Sequence, residues 1–426
     1  MTTNFMRLFR QLFQIKLLSL ILGLLNFTLM VNTIPAEEFG LYTLYIAYIP
    51  TASTLMAGGL SSLITRELVV AIEHGGGALA HINRYLKKYN NIALIIIAMA
   101  TILFLTHYLN GYIYIVFLSA YVLGQISVDI GILKGLGKPS LSEIQKQVVL
   151  PCLMLSGTIF IASFFTEYLR ANIFLSLYLT AHVTILIILK ILVRSFSDKI
   201  AALEKISTTK IDLTTQIRFI AVTLISSITP NLIIIFSGFF ENAINLTYLR
   251  VSERFGQLLI IPSMVINLFL VAEFAKYNRR DRAKELSHLY TLSVLFAGGV
   301  AMILFIIFFV FGDLILTFLF DEATSENSVS NLLMISFTYM LSALIGPAGV
   351  CAMALGKENL VLVIDCLFVL LSVAFGFIIY KLLGKNYIVA IFMFGLTAKN
   401  IILLVALWLD NGVRITIWDT TKKFTR

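Results

Sequence analysis

Long apolar runs fill this chain, and they constrain its fold more than any other feature. Residues 290–311, for example, contain no charged side chain. The whole chain is 59% hydrophobic and 13% charged, whereas soluble domains are about 25% charged. A bilayer is the solvent that suits this composition, because a spanning helix needs about 20 mainly apolar residues and pairs its own backbone groups. The runs are too long for strands, so we predict an all-α membrane protein.

Twelve such runs can be counted, and we number them as spans 1 to 12. They cover residues 13–33, 41–63, 92–109, 112–133, 144–165, 171–193, 217–239, 247–272, 290–311, 331–354, 360–383 and 387–409.

Lysine and arginine are distributed unevenly between the two ends of these spans. If both termini are cytoplasmic, the cytoplasmic segments and helix ends hold 26 of the 32 Lys and Arg residues, and the outer segments hold five. Cytoplasmic loops carry the excess of basic residues in membrane proteins. The sequence therefore predicts a multi-pass protein with both termini inside. The net charge of +9 then belongs to an inner face that meets anionic lipid, and a nucleic-acid partner is not predicted.

Two polar turns of nearly the same sequence lie half a chain apart. Residues 136–141 read LGKPSL between spans 4 and 5, and residues 355–360 read LGKENL between spans 10 and 11. A second echo, EEFGLY at 37–42 and ENAINLTY at 241–248, opens spans 2 and 8. This order predicts a parallel repeat of two six-helix halves, as many transporters have.

The repeat predicts the domain boundaries. We expect an N-terminal six-helix lobe at residues 1–193, a cytoplasmic linker at 194–216 and a C-terminal six-helix lobe at 217–426.

Motifs of enzyme chemistry are incomplete. The segment 131–138, GILKGLGK, resembles a phosphate loop, but five residues separate its glycines and Pro139 replaces Ser or Thr. The HGGG at 74–77 resembles a lipase oxyanion segment, but no G-x-S-x-G follows. The longest outer loop, about 312–330, is short for a catalytic domain. We therefore predict that the chain is not an enzyme and has no cofactor or metal. Three cysteines inside apolar runs are expected to be buried packing residues: Cys152, Cys351 and Cys366.

A few charged residues fall inside spans, where one charge costs about 2.5–3.5 kcal/mol unless it has a partner or a wet cavity. Asp365 and Lys399 differ in height by about 5 Å at 1.5 Å per residue, so we expect them to pair. The pair is either structural, or it lines a transport cavity where a carboxylate exchanges a proton. Asp129 of span 4 is either a cap or partner for Lys134, or an ion-coupling group.

Span 8 carries polar residues at the i, i+3, i+4, i+7 spacing of one helical face: Arg250, Glu253, Arg254 and Gln257. The two arginines either reach the outer headgroups or hold an anionic group of a substrate, since arginine forks match phosphate geometry. Arg66 and Glu67 end span 2 at the inner face, where an interfacial role is the default.

Helix-breaking residues interrupt several spans, and we expect them to bend helices. They are Pro50, Pro151, Pro230, Pro262 and Pro347, with glycine pairs at 58–59 and 298–299.

Four segments resemble a known family: IPAEEFGLYT at 34–43, GLSSLITREL at 59–68, LKGLGK at 133–138 and FGDLIL at 311–316. The chain is similar to polysaccharide flippases of the Wzx type, which are O-antigen and related repeat-unit transporters. They belong to the multidrug/oligosaccharidyl-lipid/polysaccharide exporter (MOP) superfamily.

The resemblance implies a MATE-like fold, with twelve transmembrane helices in two six-helix lobes related by a pseudo-two-fold axis around a cavity. It implies alternating access, ion-coupled antiport and a polyprenyl-diphosphate-linked oligosaccharide as cargo. The location would be the bacterial inner membrane, in lipopolysaccharide synthesis. Polysaccharide polymerase and chain-length proteins are the protein partners that it suggests.

The resemblance also suggests roles for the charged residues. The cavity cations would be Arg66, Arg250, Arg254 and Lys399, and the ion-coupling candidates would be Asp129, Glu253 and Asp365. Glu253 and Arg254 resemble an acid–arginine pair of the lipid II flippase branch. The chain departs from the family pattern at Glu273, where many relatives have proline, and at Asn245, where glycine is usual.

Two other functions remain open. A drug or cation exporter of the same superfamily shares the fold, but it would favour an acidic cavity, whereas span 8 is rich in arginine. A membrane-embedded polymerase would need a longer outer loop.

Overall fold

A computed structural model describes residues 2–57, 60–74, 79–106, 110–165, 169–198, 200–201, 213–276, 283–320, 326–355, 357–383 and 387–411. No strand occurs in these residues, and their helices follow the twelve predicted spans in order, which confirms the predicted all-α fold.

Spans 1 to 6 are Thr2–Thr33, Ala36–Ala57 with Ser61–His74, Leu79–Leu105, Gly111–Gly135, Pro139–Phe164 and Ala171–Arg194. Span 7 consists of Leu213–Ile228, Thr229–Asn231 and Leu232–Ser237, and span 8 of Ala243–Gly256, Gln257–Ile260 and Ile261–Lys276. Spans 9 to 12 are Ala283–Leu319, Glu326–Ile345 with Ala348–Ala354, Glu358–Leu383 and Ile388–Asn411.

Ten of these helices are long and apolar enough to cross a membrane, counted over the described residues. Spans 2 and 8 are not among these ten helices. Span 2 begins earlier than predicted because Glu37 and Glu38 form part of its first turn, where acidic side chains stabilise the positive end of a helix.

The chain divides into two compact units, Met1–Ile235 and Phe236–Arg426. This division falls inside span 7, later than the predicted linker at 194–216. Residues 202–212 of that linker lie outside the described residues, so the predicted lobe boundaries stay a prediction.

Span 4 is the central helix of the first unit. It packs against both segments of span 2 and against span 6. A Cβ atom at Gly131 would lie 2.5 Å from the backbone oxygen of Ser61, so only glycine permits this approach. The hydroxyl of Thr65 donates a hydrogen bond of 2.9 Å to the Gly131 carbonyl. Small residues and such interhelical hydrogen bonds are the usual means by which membrane helices associate.

The two LGK turns close in the same way. The amide of Lys138 donates to the Leu133 carbonyl at 2.9 Å, and Gly137 adopts a φ of +75°, as in a Schellman motif. The amide of Lys357 donates to the Ala352 carbonyl, also at 2.9 Å and with the same sequence separation. Spans 4 and 10 therefore end in equivalent turns, as the repeated sequence predicts.

Four of the five predicted prolines coincide with irregular helix. The irregular segments are the π-helical turn Gln145–Val149, the 3₁₀ turns Thr229–Asn231 and Gln257–Ile260, and the break at Gly346 and Pro347. Pro50 instead stays inside a regular helix, and its carbonyl accepts hydrogen bonds from the hydroxyls of Ser53 and Thr54.

The cysteines differ in burial, which corrects part of the sequence prediction. Cys351 is buried in the core of the second unit, Cys366 is half-buried, and all three thiols are free. Cys152 is exposed. The prediction of burial is wrong there because an apolar run in a membrane protein places some of its residues toward lipid.

The close approach at Gly131 yields a stability prediction. Gly131→Ala should destabilise the protein by about 1–3 kcal/mol because span 4 and span 2 must separate to admit the methyl group. The measurement is thermal unfolding of the purified protein in detergent. Gly299→Ala is the matched control, because a Cβ atom there meets nothing within 4 Å and alanine has the better helix propensity. Equal melting temperatures for the two variants would contradict the packing described.

Candidate functional site

The charged face of span 8 forms a compact network in the second unit. Asn242 caps the helix through a hydrogen bond from the Asn245 amide, and the helix continues to Gly256. Glu253 is 1% exposed and accepts from Arg250 Nη1 at 2.6 Å. Its second oxygen accepts from Gln257 Nε2 at 3.0 Å. Both oxygens of the Glu253 carboxylate thus accept a hydrogen bond, and its charge neutralises that of Arg250.

Arg254 differs from Arg250 in having no such partner. It is partly exposed, and within the described residues it makes no hydrogen bond or ion pair. Arg250 repels it electrostatically and Glu253 attracts it. Within the described residues no acceptor contacts the guanidinium of Arg254, so its donors can bind a ligand.

Span 10 supports this network. Tyr339 makes a side-chain hydrogen bond with Gln257, and the hydroxyl of Ser252 donates to the Ser328 carbonyl at 2.7 Å. Gly256 brings the two helices together, since a Cβ atom there would lie 2.6 Å from Ile335. The 3₁₀ turn that follows begins at Gln257, and the i, i+4 spacing of Glu253 and Gln257 places them on one face of the helix. Tyr339 is a member of the site that periodicity within span 8 could not indicate.

Asp365 and Lys399 form the predicted pair between spans 11 and 12. Lys399 Nζ lies 2.7 Å from Asp365 Oδ1, and both side chains are largely buried. The ammonium also lies over the ring of Phe368, 5.6 Å from its centroid, a favourable cation–π position. Each charge is thus neutralised inside the second unit.

Asp129 pairs with a different lysine from the one considered above. Lys190 Nζ of span 6 lies 2.9 Å from Asp129 Oδ1, whereas Lys134 pairs with Glu143 at 2.8 Å. The pairing with Lys134 is therefore wrong. Depth in the membrane could have indicated the pair with Lys190, because the two residues lie at similar distances from the inner ends of their helices. Asp129 precedes the end of span 4 by six residues, and Lys190 precedes the end of span 6 by four. Asp129 is 1% exposed, and its Oδ2 has no hydrogen-bond partner within the described residues.

Arg66 lies within the second segment of span 2, Ser61–His74, so the prediction that it ends the span is wrong because the helix continues to His74. Its guanidinium contacts the neighbouring Glu67 at 2.7 Å, and its side chain is half-exposed. The predicted residues therefore occupy separate clusters: the span 8 network, the Asp365–Lys399 pair, the Asp129–Lys190 pair and Arg66–Glu67. In the part of the chain that is described, no group of three or more His, Cys, Asp or Glu side chains is placed to hold a metal.

The Asp365–Lys399 pair gives a test by double substitution. Lys399→Met should lower stability by about 3 kcal/mol because it leaves a largely buried carboxylate without its partner. Asp365→Asn combined with Lys399→Met should recover most of this loss. Unfolding in detergent measures both effects, and Lys381→Met serves as control because Lys381 is exposed at the end of span 11. Additive losses in the double variant would show that the two groups do not interact.

One family of known proteins matches the first half of the chain in sequence. Residues 11–211 match the model of the family described as "Polysaccharide biosynthesis protein". No curated protein matches the chain in sequence.

Solved structures match nearly the whole chain. One is an inward-facing multidrug resistance MATE family transporter of the MOP superfamily, with 14% identity, a TM-score of 0.67, and coverage of 92% of this chain and 94% of that one. Another is a MATE transporter in its straight conformation, with 16% identity, a TM-score of 0.63, and coverage of 96% and 94%. The Vibrio cholerae MATE transporter VcmN in its bent form has 17% identity, a TM-score of 0.55, and coverage of 96% and 97%.

These matches show a shared fold, and the family match adds a similarity in sequence over residues 11–211. Together they agree with the resemblance drawn from the sequence: the chain has a MATE-like fold, and residues 11–211 are similar to the polysaccharide biosynthesis family.

Proposed function

We propose that this protein flips a polyprenyl-diphosphate-linked oligosaccharide repeat unit from the cytoplasmic to the outer leaflet of a bacterial inner membrane. It does so by alternating access coupled to an ion. The termini are cytoplasmic in this proposal, because that orientation puts 26 of the 32 basic residues inside. An O-antigen or related lipopolysaccharide unit is the cargo that the polysaccharide family match favours.

The cargo sets a physical requirement. A diphosphate cannot cross hydrocarbon unaided, because an unpaired buried charge costs tens of kcal/mol in the Born limit. The protein must offer cations along a hydrated path while the lipid tail stays in the bilayer. Cations already neutralised by a carboxylate meet this requirement poorly.

Arg254 carries the proposal. Of the four candidate cavity cations, Arg250, Lys399 and Arg66 each contact a carboxylate, whereas Arg254 contacts none within the described residues. A planar guanidinium binds phosphate oxygens through two parallel hydrogen bonds. We therefore assign Arg254 to the diphosphate.

The paired cations suggest how an ion would couple to transport. A proton on Glu253 would release Arg250, and a proton on Asp365 would release Lys399, so proton binding would add positive charge for the diphosphate. Asp129 offers a third site, because its Oδ2 is buried without a partner among the described residues. In this proposal the three carboxylates are the proton-binding groups of the ion-coupled cycle.

A multidrug exporter is the second candidate. One of the matching structures is that of a multidrug resistance transporter, and the fold serves both cargoes. An arginine that lacks a carboxylate partner favours an anionic cargo over a cationic drug.

A genetic experiment tests the assignment. Arg254→Ala should reduce surface polysaccharide at least about tenfold in a deletion strain, the loss of roughly one charge-assisted contact. Arg254→Lys should retain part of the activity. Surface polysaccharide is measured on gels, and membrane levels of the protein are measured by immunoblot.

Arg170→Ala is the matched control, since Arg170 is an exposed arginine predicted on the same side of the membrane. Wild-type export by the Arg254→Ala variant would contradict the assignment. Drug sensitivity of the deletion strain with normal polysaccharide would favour the second candidate instead.

A further inference from the structure

A second group of cations lies at the inner end of the first unit, apart from the residues assigned above. Lys134 lies in the last turn of span 4, and its ammonium contacts Glu143 Oε1 at 2.8 Å. Gln147 Nε2 donates to the other oxygen of Glu143 at 3.2 Å. The hydroxyl of Ser19 donates to Gln147 Oε1 at 2.9 Å, which connects span 1 to span 5. Glu143 is thus the centre of a hydrogen-bonded junction of spans 1, 4 and 5.

Two more lysines share this single carboxylate. Lys16 and Lys146 are both attracted by Glu143, and each is repelled by Lys134. Lys16 is also repelled by Lys146. Within the described residues neither Lys16 nor Lys146 makes a hydrogen bond or a close ion pair. We call Lys16, Lys134 and Lys146 the lysine cluster. Within the described residues the three ammonium groups share the single carboxylate of Glu143, so positive charge predominates in the lysine cluster.

The backbone of this region is irregular. Lys146 and Gln147 lie in the π-helical turn Gln145–Val149, and single π turns occur frequently at functional sites. In the same turn Gln145 is buried, and its Oε1 has no hydrogen-bond partner in the described part of the chain. The turn therefore carries both an unpaired cation and an unsatisfied amide.

The depth of the cluster points to the kind of anion. Lys16 and Lys146 lie within three residues of the predicted inner ends of spans 1 and 5, and Lys134 and Glu143 flank the turn between spans 4 and 5. This is the level of the membrane surface where lipid phosphates lie. An ammonium is a compact point charge that binds phosphate.

We propose that the lysine cluster is a binding site for the phosphate group of a lipid at the cytoplasmic surface of the membrane. The phosphate of an anionic phospholipid and the diphosphate of a prenyl carrier offer the same chemistry to these ammonium groups. The site stands on the contacts of the first unit and does not rest on the cargo proposed above.

Binding to the purified full-length protein in neutral detergent tests this site. The probes are geranylgeranyl diphosphate, phosphatidylglycerol and inorganic pyrophosphate, with affinity measured by native mass spectrometry or thermophoresis. The Lys16→Ala/Lys146→Ala variant should bind at least one lipid probe at least about tenfold more weakly than wild type. Lys16→Arg/Lys146→Arg should bind as wild type does, because the charge is kept.

Lys87→Ala/Lys88→Ala is the matched control, since these two exposed lysines are predicted to lie on the same side of the membrane as the lysine cluster. Weakened binding of the diphosphate alone would identify a prenyl carrier, and weakened binding of both lipids would identify a general lipid-phosphate site. Unchanged binding of both lipids in the double alanine variant would overturn the proposal. Should that variant fail to fold, Lys146→Gln alone gives the same comparison.

Loss of binding here can be told apart from failure of the proposed function. Lipid binding is measured on variants of the lysine cluster in the first unit, whereas polysaccharide export is measured on variants of Arg254 in the second unit.

Discussion

The cost of placing a charge in a bilayer governs this structure. A chain with long apolar runs can hold few intramembrane charges, and those that it keeps need partners. The carboxylates of Asp129, Glu253 and Asp365 each contact a basic side chain, and all three pairs join residues of one helix or of two helices within one unit. Pairing of this kind removes the cost but leaves no net charge for a substrate. Cations without a carboxylate partner are therefore the informative ones, and among the described residues Arg254 is one of them.

Local backbone chemistry places these groups. The 3₁₀ turn after Gly256 begins at Gln257, which donates to Glu253, and the π turn before Pro151 carries Lys146 and Gln147. In both cases the irregular turn lies beside a proline inside a span, where the ring removes one backbone hydrogen bond. The prolines that interrupt the helices thus also set the positions of polar side chains.

Much of the fold could be predicted because it follows from one-dimensional patterns. Apolar run length gives the helices, and the LGK repeat gives two turns with the same hydrogen bond. Depth along a helix also gives the pair of Asp365 with Lys399. The depth of Lys190 along its helix could also have predicted its pair with Asp129, but Lys134 lies nearer to Asp129 in sequence and was the lysine considered. Side-chain direction around a helix that lipid surrounds is harder to predict, because apolar residues face both lipid and protein; Cys152 is exposed for this reason.

In the transport cycle that we propose, the guanidinium of Arg254, which contacts no carboxylate in the described part of the chain, receives the diphosphate of a lipid-linked sugar. The most direct measurement is an electron cryo-microscopy structure of the full chain in lipid nanodiscs with an added polyprenyl-diphosphate oligosaccharide. We expect phosphate density within hydrogen-bonding distance of Arg254, with Glu253 still holding Gln257. A diphosphate bound elsewhere, with the Arg254 side chain directed into the acyl chains, would contradict the claim.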